Sequence, residues 1–353
     1  MTTTAIAPTN IAIVKYWGKN PAFENLLLPT KSSLSFTVKD LYTKTTVTAK
    51  KGSGQIDFTL NKKKILQSMK EYEYVEEFLR KVSQFFPFIL KYDYKIISEN
   101  NFPTAAGFAS SASGFAALIK ALAGELKEFE NLRSDDRQLS ALARLGSGSA
   151  TRSIPSKGGF VIWHRGLDYT EKVKISQIDA HNCSYAETLF EPSHWPELVI
   201  IYAKVGKEEK KIKSRAGMRT SIDTNPLYGG WVKYEEEEMN NQVIEAMKAK
   251  NFPKLAELIM KASNNLHQIC LGTYPPIIYL TQKSMEIIDA ISELNKNGIK
   301  AAYTFDAGPN PVIFCIAKNK DEVMSSLTKI MGSENLVVTS MGPGARYESK
   351  NLG

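Results

Sequence analysis

The chain has 353 residues, of which 43% are hydrophobic and 23% charged, with a formal net charge of +8. That length suits two domains or one large one, and the composition excludes disordered, collagen-like and coiled-coil classes. No apolar run approaches the roughly 20 residues of a membrane helix, the start Met1-Thr-Thr-Thr-Ala-Ile-Ala-Pro8 lacks the basic and apolar regions of a secretory signal, and the basic residues are mixed with acids rather than set in a nucleic-acid-binding pattern.

In chain order, Asn10-Ile-Ala-Ile-Val14 reads as a β-branched strand running into the polar Lys15-Tyr-Trp-Gly-Lys19. Residues 45–50 and 92–98 also read as strands, and Gly52-Ser-Gly54 as a hairpin turn. Apolar spacing predicts a helix over 71–86. A Gly/Ser/Ala-rich stretch, 103–124, runs into a helix at 115–122, and a second one near 146–166 leads to a strand at 159–163. The second half predicts a strand at 198–203, helices over 231–250, 253–268 and 276–297, strands at 301–305 and 311–317, a helix at 320–331 and a strand at 336–340. This order is α+β. The turn-rich Glu191-Pro-Ser-His-Trp-Pro196 suggests a division into residues 1–190 and 191–353.

Three cysteines, far apart and odd in number, exclude a disulfide scaffold or thiolate cage and suit a reducing cytoplasm. The four histidines have no metal-ligand spacing. A net positive charge without a nucleic-acid or membrane pattern points to a small phosphorylated ligand.

Four segments carry candidate chemistry, and each has a plainer reading. Pro103-Thr-Ala-Ala-Gly-Phe-Ala-Ser-Ser111 places small residues at a helix start, where backbone N–H groups and the Ser110 and Ser111 hydroxyls suit an anion or Mg2+. Close helix packing explains the same residues. Lys15 and Lys19 at a strand exit suit a phosphorylated substrate, or are ordinary solvated charges. Gly146-Ser-Gly-Ser-Ala-Thr-Arg-Ser153 offers backbone donors and the Arg152 fork, or is a loop with one surface arginine. Asp306, at a strand end before Gly308-Pro309, is a positioned acid or a turn cap.

Together these segments resemble the diphosphomevalonate decarboxylase family, within the superfamily of galactokinase, homoserine kinase, mevalonate kinase and phosphomevalonate kinase. The resemblance runs from about Ala7 to Gly344. It rests on Asn-Ile-Ala-x-x-Lys-Tyr-Trp-Gly-Lys at 10–19, Ser-Ser-Leu-Ser at 32–35, and Asn-Phe-Pro-Thr-Ala-Ala-Gly at 101–107 with Ala-Ser-Ser after it. It continues with Ser-Gly-Ser-Ala-x-Arg-Ser at 147–153, Ala-Gly-Met at 216–218, Pro-Pro-x-x-Tyr at 275–279 and Thr-Phe-Asp-Ala-Gly-Pro-Asn at 304–310.

The resemblance implies an N-terminal domain like domain 2 of ribosomal protein S5 and a ferredoxin-like C-terminal domain, with the site in the cleft between them. It implies phosphorylation of the 3-hydroxyl of a phosphorylated mevalonate, then loss of that phosphate with CO2. Residue by residue, Asp306 matches the acid beside the 3-oxygen, Arg152 the cation on the C1 carboxylate and Lys15 the lysine that organises them. Tyr16, Lys19 and Ser149, with Asn10 beside them, match the 5-phosphate end. Pro103, Gly107, Ser110 and Ser111 match the ATP phosphate loop, with Ser111 a candidate Mg2+ ligand. An obligate homodimer is the family expectation.

Four departures bear on the substrate. Lys31 stands where the family usually has Asn, and Lys213-Ser214 where Ser-Ser is frequent. Leu60-Asn-Lys-Lys-Lys64 lacks an expected Arg, and the loop 20–28 is long. If Lys31 and Lys213 face the cleft, they are extra substrate-binding cations. Such cations would suit an ATP-independent enzyme acting on mevalonate 3,5-bisphosphate. The leading expectation is nonetheless an ATP- and Mg2+-dependent diphosphomevalonate decarboxylase. A mevalonate 5-phosphate decarboxylase, a mevalonate 3-kinase and a basic binding protein are the other readings.

Overall fold

Strand β1 (Thr2–Val14) pairs antiparallel with the long β2 (Ser33–Lys51). In the computed structural model, which describes residues 2–102, 110–205 and 212–348, their register shifts twice, between Pro8 and Asn10 and between Ala12 and Val14. Pro8 has no N–H for the ladder, so an irregularity there is expected. The second shift falls just before Lys15 and re-aims the strand exit.

β3 (Ile56–Leu60), β4 (Lys63–Ile65), α1 (Lys70–Ser83) and β5 (Tyr92–Asn100) follow. β5 lies between β2 and β3, antiparallel to the first and parallel to the second. Gly52-Ser-Gly54 therefore does not turn a hairpin between neighbouring strands, contrary to its sequence reading. The tight hairpin is β3–β4, whose Asn61 and Lys62 adopt φ of 48° and 65°, as a two-residue turn with both central residues left-handed requires. Turn residues report a reversal; they do not report which strand wins the edge.

α2 (Ser110–Glu125) and α3 (Asp136–Arg144) pack with α1 on one face of this sheet. α3, absent from the sequence reading, is only nine residues long and is capped by Asp135, which accepts from the Gln138 N–H. β6 (Phe160–Trp163), α4 (Gln177–Asn182) and β7 (Ala186–Phe190) complete the first half, with β6 paired to the start of β2.

The second half comprises β8 (Leu198–Ala203), α5 (Ser214–Thr224), α6 (Tyr228–Tyr234), α7 (Asn240–Lys248), α8 (Phe252–Leu271), α9 (Gln282–Leu294), β9 (Ala301–Phe305), β10 (Pro311–Ile316), α10 (Lys320–Met331) and β11 (Leu336–Ser340). Its sheet order is β11-β8-β10-β9, antiparallel throughout, the order of a ferredoxin-like domain. β12 (Arg346–Tyr347) returns to pair with β1. The helix expected over 231–250 is interrupted by a π-turn at Glu235–Met239, between α6 and α7. The helix expected from 276 starts only at Gln282, because Pro275 and Pro276 cannot donate and Thr281 and Ser284 form a capping box. α5 was not foreseen: it buries only Gly217, Met218 and Ser221, too few apolar residues for a readable stripe.

One core joins the sheets. Ile11, Leu34, Phe36 and Phe160 of the first meet Leu198, Ile200 and Phe314 of the second, with Val243, Leu255 and Ile259 from α7 and α8. The Phe36 and Phe314 rings lie 5.1 Å apart, and each fully buried ring contributes roughly 1.5–3 kcal/mol. This explains why residues 33–38 of β2 are buried on both faces while the strand beyond Leu41 alternates. Among the described residues, no helix is long and apolar enough to cross a membrane.

Candidate active site

A cleft of about 440 Å³ opens where the two sheets meet. Its walls include Lys15 and Arg152 from the first half and Arg215 and Asp306 from the second.

The segment 15–19 turns away from β1 with each side chain sent somewhere different. The Lys15 ammonium donates to the Ala12 carbonyl at 2.9 Å and to Asp306 Oδ1 at 2.7 Å. Tyr16 lies 4.7 Å from the Trp163 ring. Trp17 is buried and its indole N–H donates to Ser221 Oγ on α5 at 3.0 Å. Gly18 has φ of 121°, and a side chain there would collide with the Tyr228 hydroxyl, so only glycine suits it.

Asp306, on the turn after β9, is 46% exposed and faces the cleft, while Lys15 is 1% exposed. Burial pulls the Lys15 pKa down, and the Asp306 carboxylate opposes that. A sheathed ammonium needs such a partner, because its desolvation is otherwise uncompensated.

Arg152 is not on a surface loop. It lies on the short helical segment Gly148–Ser153 and is 4% exposed. Its Nε donates to Asn10 Oδ1 at 3.1 Å and its Nη1 to Ser33 Oγ at 2.9 Å. Burial lowers its pKa to about 10, so it stays charged near neutrality. The Asn10 amide is fully engaged within the protein: Nδ2 donates to the Ser149 carbonyl at 3.0 Å and to Ser153 Oγ at 2.7 Å. Asn10 lines the cleft, where a substrate-binding residue was expected, and its hydrogen bonds hold Arg152 and the Ser149 turn.

Four serine hydroxyls also line the cleft. Ser147 Oγ lies 3.2 Å from Ser149 Oγ and 3.4 Å from Ser111 Oγ, and Ser110 opens α2 beside them. A Cβ on Gly148 would fall 2.7 Å from the Tyr16 hydroxyl, so the glycine lets this turn close over Tyr16. Three cations line the same space, Lys19, Lys213 and Arg215. Lys19 has its pKa lowered to about 8, chiefly by burial and then by Arg215. Arg215 donates to the Gly146 carbonyl at 3.0 Å and lies over the Tyr74 ring. Arg215 and Ser147 were not singled out from the sequence. The nearest signal for Arg215 was its place directly before Ala216-Gly-Met218.

Of the two lysines expected as extra cations, one is elsewhere. Lys31 is buried, with its ammonium 2.7 Å from the Glu235 carboxylate, so it adds no charge to the cleft. Lys62, Lys63 and Lys64 sit on or beside the β3–β4 turn, where Lys64 pairs with Asp57, and do not line the cleft. Lys213 does face it. Pro103 and Gly107 lie outside the described residues. Among the described residues no cluster of His, Cys, Asp and Glu could hold a metal ion alone. The serine hydroxyls at the start of a 16-residue helix do fit phosphate oxygens and a cation carried by them.

Residues 7–174 match the family described as diphosphomevalonate decarboxylase-like N-terminal domain, and residues 198–348 the mevalonate 5-diphosphate decarboxylase C-terminal domain. The chain is 38% identical to the diphosphomevalonate decarboxylase of Candida albicans, covering 98% of each chain. The crystal structure of mevalonate diphosphate decarboxylase from Staphylococcus aureus superposes with a TM-score of 0.87 at 32% identity, covering 99% of this chain and 98% of that one. The structure of MDDEF in complex with MVAPP, AMPPCP and magnesium superposes with a TM-score of 0.86 at 36% identity, covering 99% of each.

Proposed function

This chain belongs to the diphosphomevalonate decarboxylase family, and we propose that its cleft converts 5-diphosphomevalonate to isopentenyl diphosphate with ATP and Mg2+. The observation that carries this is the Lys15–Asp306 pair, drawn together at 2.7 Å from two different sheets and facing the same cleft as Arg152.

Bound at the serine-lined start of α2, MgATP supplies the phosphoryl group for the 3-hydroxyl. Ser110 and Ser111 would hold its phosphates, and the Ser111 hydroxyl would be a ligand for the Mg2+ that comes with them. Asp306 takes the 3-hydroxyl proton, releases it to the solvent that reaches its half-exposed side chain, and then faces C3 as a carboxylate while positive charge builds there. Lys15 keeps Asp306 ionised and aimed. Arg152 grips the C1 carboxylate. The C3–O bond breaks, with its electrons leaving on phosphate. The C1–C2 bond then breaks, its electrons form the C2–C3 double bond, and CO2 departs. Tyr16, Lys19 and Ser149 hold the 5-diphosphate, with Lys213 and Arg215 adding the charge that a second phosphate requires. Asn10 positions Arg152. Most of this is positioning and electrostatics.

With Lys31 paired to Glu235, one of the two cations that favoured an ATP-free 3,5-bisphosphate enzyme is gone. The direct test is to incubate the protein with 5-phosphomevalonate, 5-diphosphomevalonate and mevalonate 3,5-bisphosphate, with and without MgATP, and follow CO2 and phosphate. CO2 from the diphosphate only with MgATP is expected. CO2 from the 3,5-bisphosphate in a chelated, nucleotide-free mixture, with none from the diphosphate, would overturn it.

Lys19 gives a pH signature. Its pKa of about 8 in the free protein rises beside a phosphate, so the complex holds more proton than the free protein above pH 8. Affinity therefore falls as pH climbs past 8, by at most about tenfold per unit. KM for 5-diphosphomevalonate should climb between pH 8 and 9.5, and Lys19→Arg should flatten that climb. An unchanged slope in Lys19→Arg would remove Lys19 from this role.

We further place the two domains at residues 1–190 and 191–353, and the enzyme in the cytoplasm as a homodimer. The three free thiols, Cys183, Cys270 and Cys315, support a reducing compartment.

A further inference from the structure

Outside the cleft lining lies a fully buried ion pair that the chemistry above does not use. Lys31 is 1% exposed and Glu235 fully buried, with 2.7 Å between ammonium and carboxylate. The same ammonium donates to the main-chain carbonyl of Lys15 and lies 4.6 Å from the centre of the Trp231 ring. Asn265 approaches the other Glu235 oxygen at 3.5 Å.

Glu235 does not act singly. Tyr228, Trp231 and Glu235 recur at i, i+3 and i+7 along α6 and the π-turn, so they form one stripe. Tyr228 donates its hydroxyl to the Trp17 carbonyl at 2.8 Å and lies 2.7 Å from Thr30 Oγ1. Thus one stripe from the second half reaches the main chain of Lys15, through Lys31, and of Trp17. Glu236, next along, accepts from the Ser32 N–H at 2.6 Å and from Ser32 Oγ at 2.9 Å. Successive residues of an α-helix point about 100° apart. The wider π-turn brings both carboxylates onto the Lys31-Ser32 segment, and such turns recur at functional sites.

We propose that the Lys31–Glu235 pair is a positioning device for the reaction. It fixes the main chain of Lys15 so that the side chain meets Asp306 across the cleft. This rests on the reading of Lys15 and Asp306 given above. Lys15 stands on the first sheet and Asp306 on the second, so their 2.7 Å contact depends on where the strand exit is held relative to α6. Burying two charges only to fill space has no advantage, since apolar residues of similar volume fill such a site as well or better. What an apolar pair cannot supply is the hydrogen bond to the Lys15 carbonyl.

The test replaces both partners, Lys31→Met with Glu235→Leu, so that no charge is left stranded. The double variant should melt within about 5 °C of the parent. Its KM for 5-diphosphomevalonate should stay within threefold, while kcat falls by about 10- to 100-fold, the cost of a reacting group displaced by roughly an ångström. A folded double variant with kcat within twofold of the parent would overturn the proposal, as would a KM increase with kcat unchanged. Should it fail to fold, Lys31→Gln with Glu235→Gln keeps polarity but shortens the reach to the Lys15 carbonyl, and the same criteria apply. Asp306→Asn in the same assay separates the two ideas. If that variant is active, the site reading fails. If it is dead while the folded pair variant is fully active, only the positioning role fails.

Discussion

Asp306→Asn should lower kcat by at least about 1000-fold while leaving the affinity for 5-diphosphomevalonate within about tenfold. The substitution keeps the shape of the side chain and removes its charge. Two effects then coincide. The 3-hydroxyl loses the group that takes its proton, and C3 loses the negative charge that faces it as phosphate departs. Neither contribution exists in the ground state, so the loss belongs to kcat rather than to binding. Lys15 is affected as well. Its pKa is already lowered by burial, and Asp306 is the largest influence raising it, so the amide leaves an ammonium with less reason to stay charged. Rates of CO2 release and a direct binding titration measure the two quantities. Turnover within tenfold of the parent would remove Asp306 from the reaction.

Arg152→Lys should cost about 100-fold or more in kcat/KM, although the charge is kept. The guanidinium does several things from one plane. Nε satisfies Asn10 Oδ1 and Nη1 satisfies Ser33 Oγ, and in the proposed mechanism the remaining edge meets the substrate carboxylate. A lysine ammonium is a single point at the end of a flexible stem and cannot reach all three. Asn10 would lose the partner that orders it, and through Asn10 the Ser149 carbonyl and Ser153 hydroxyl would loosen. The damage should therefore extend to the 5-diphosphate end, which steady-state kinetics would register as a raised KM together with a lowered kcat. An unchanged kcat/KM in Arg152→Lys would show that no carboxylate is gripped there.

Much of this protein could be read from the chain alone, and the reason is locality. The strands at 198–203, 301–305 and 336–340 and the helices around 253–268 and 320–331 stand where side-chain periodicity puts them. Asn251, which caps α8, and Thr281, which caps α9, act within their own turns. The motif residues Lys15, Arg152 and Asp306 could be picked out because specific short segments carry them.

What only the tertiary structure decided are pairings between distant positions. β5 entered between β2 and β3, which no turn residue announces. Arg152 had two sequence readings, anion-gripping fork or surface arginine on a loop, and became a buried group because Asn10 and Ser33 close over it from 142 and 119 residues away. Lys31 and Lys213 carry the same charge and could not be told apart in the sequence. Lys213, at the start of α5, faces the cleft. Lys31 is held outside the cleft lining because the π-turn carries Glu235 to it from 204 positions along the chain. An ammonium goes where a buried carboxylate lowers the cost of desolvation, and that carboxylate's position is a property of the assembled fold.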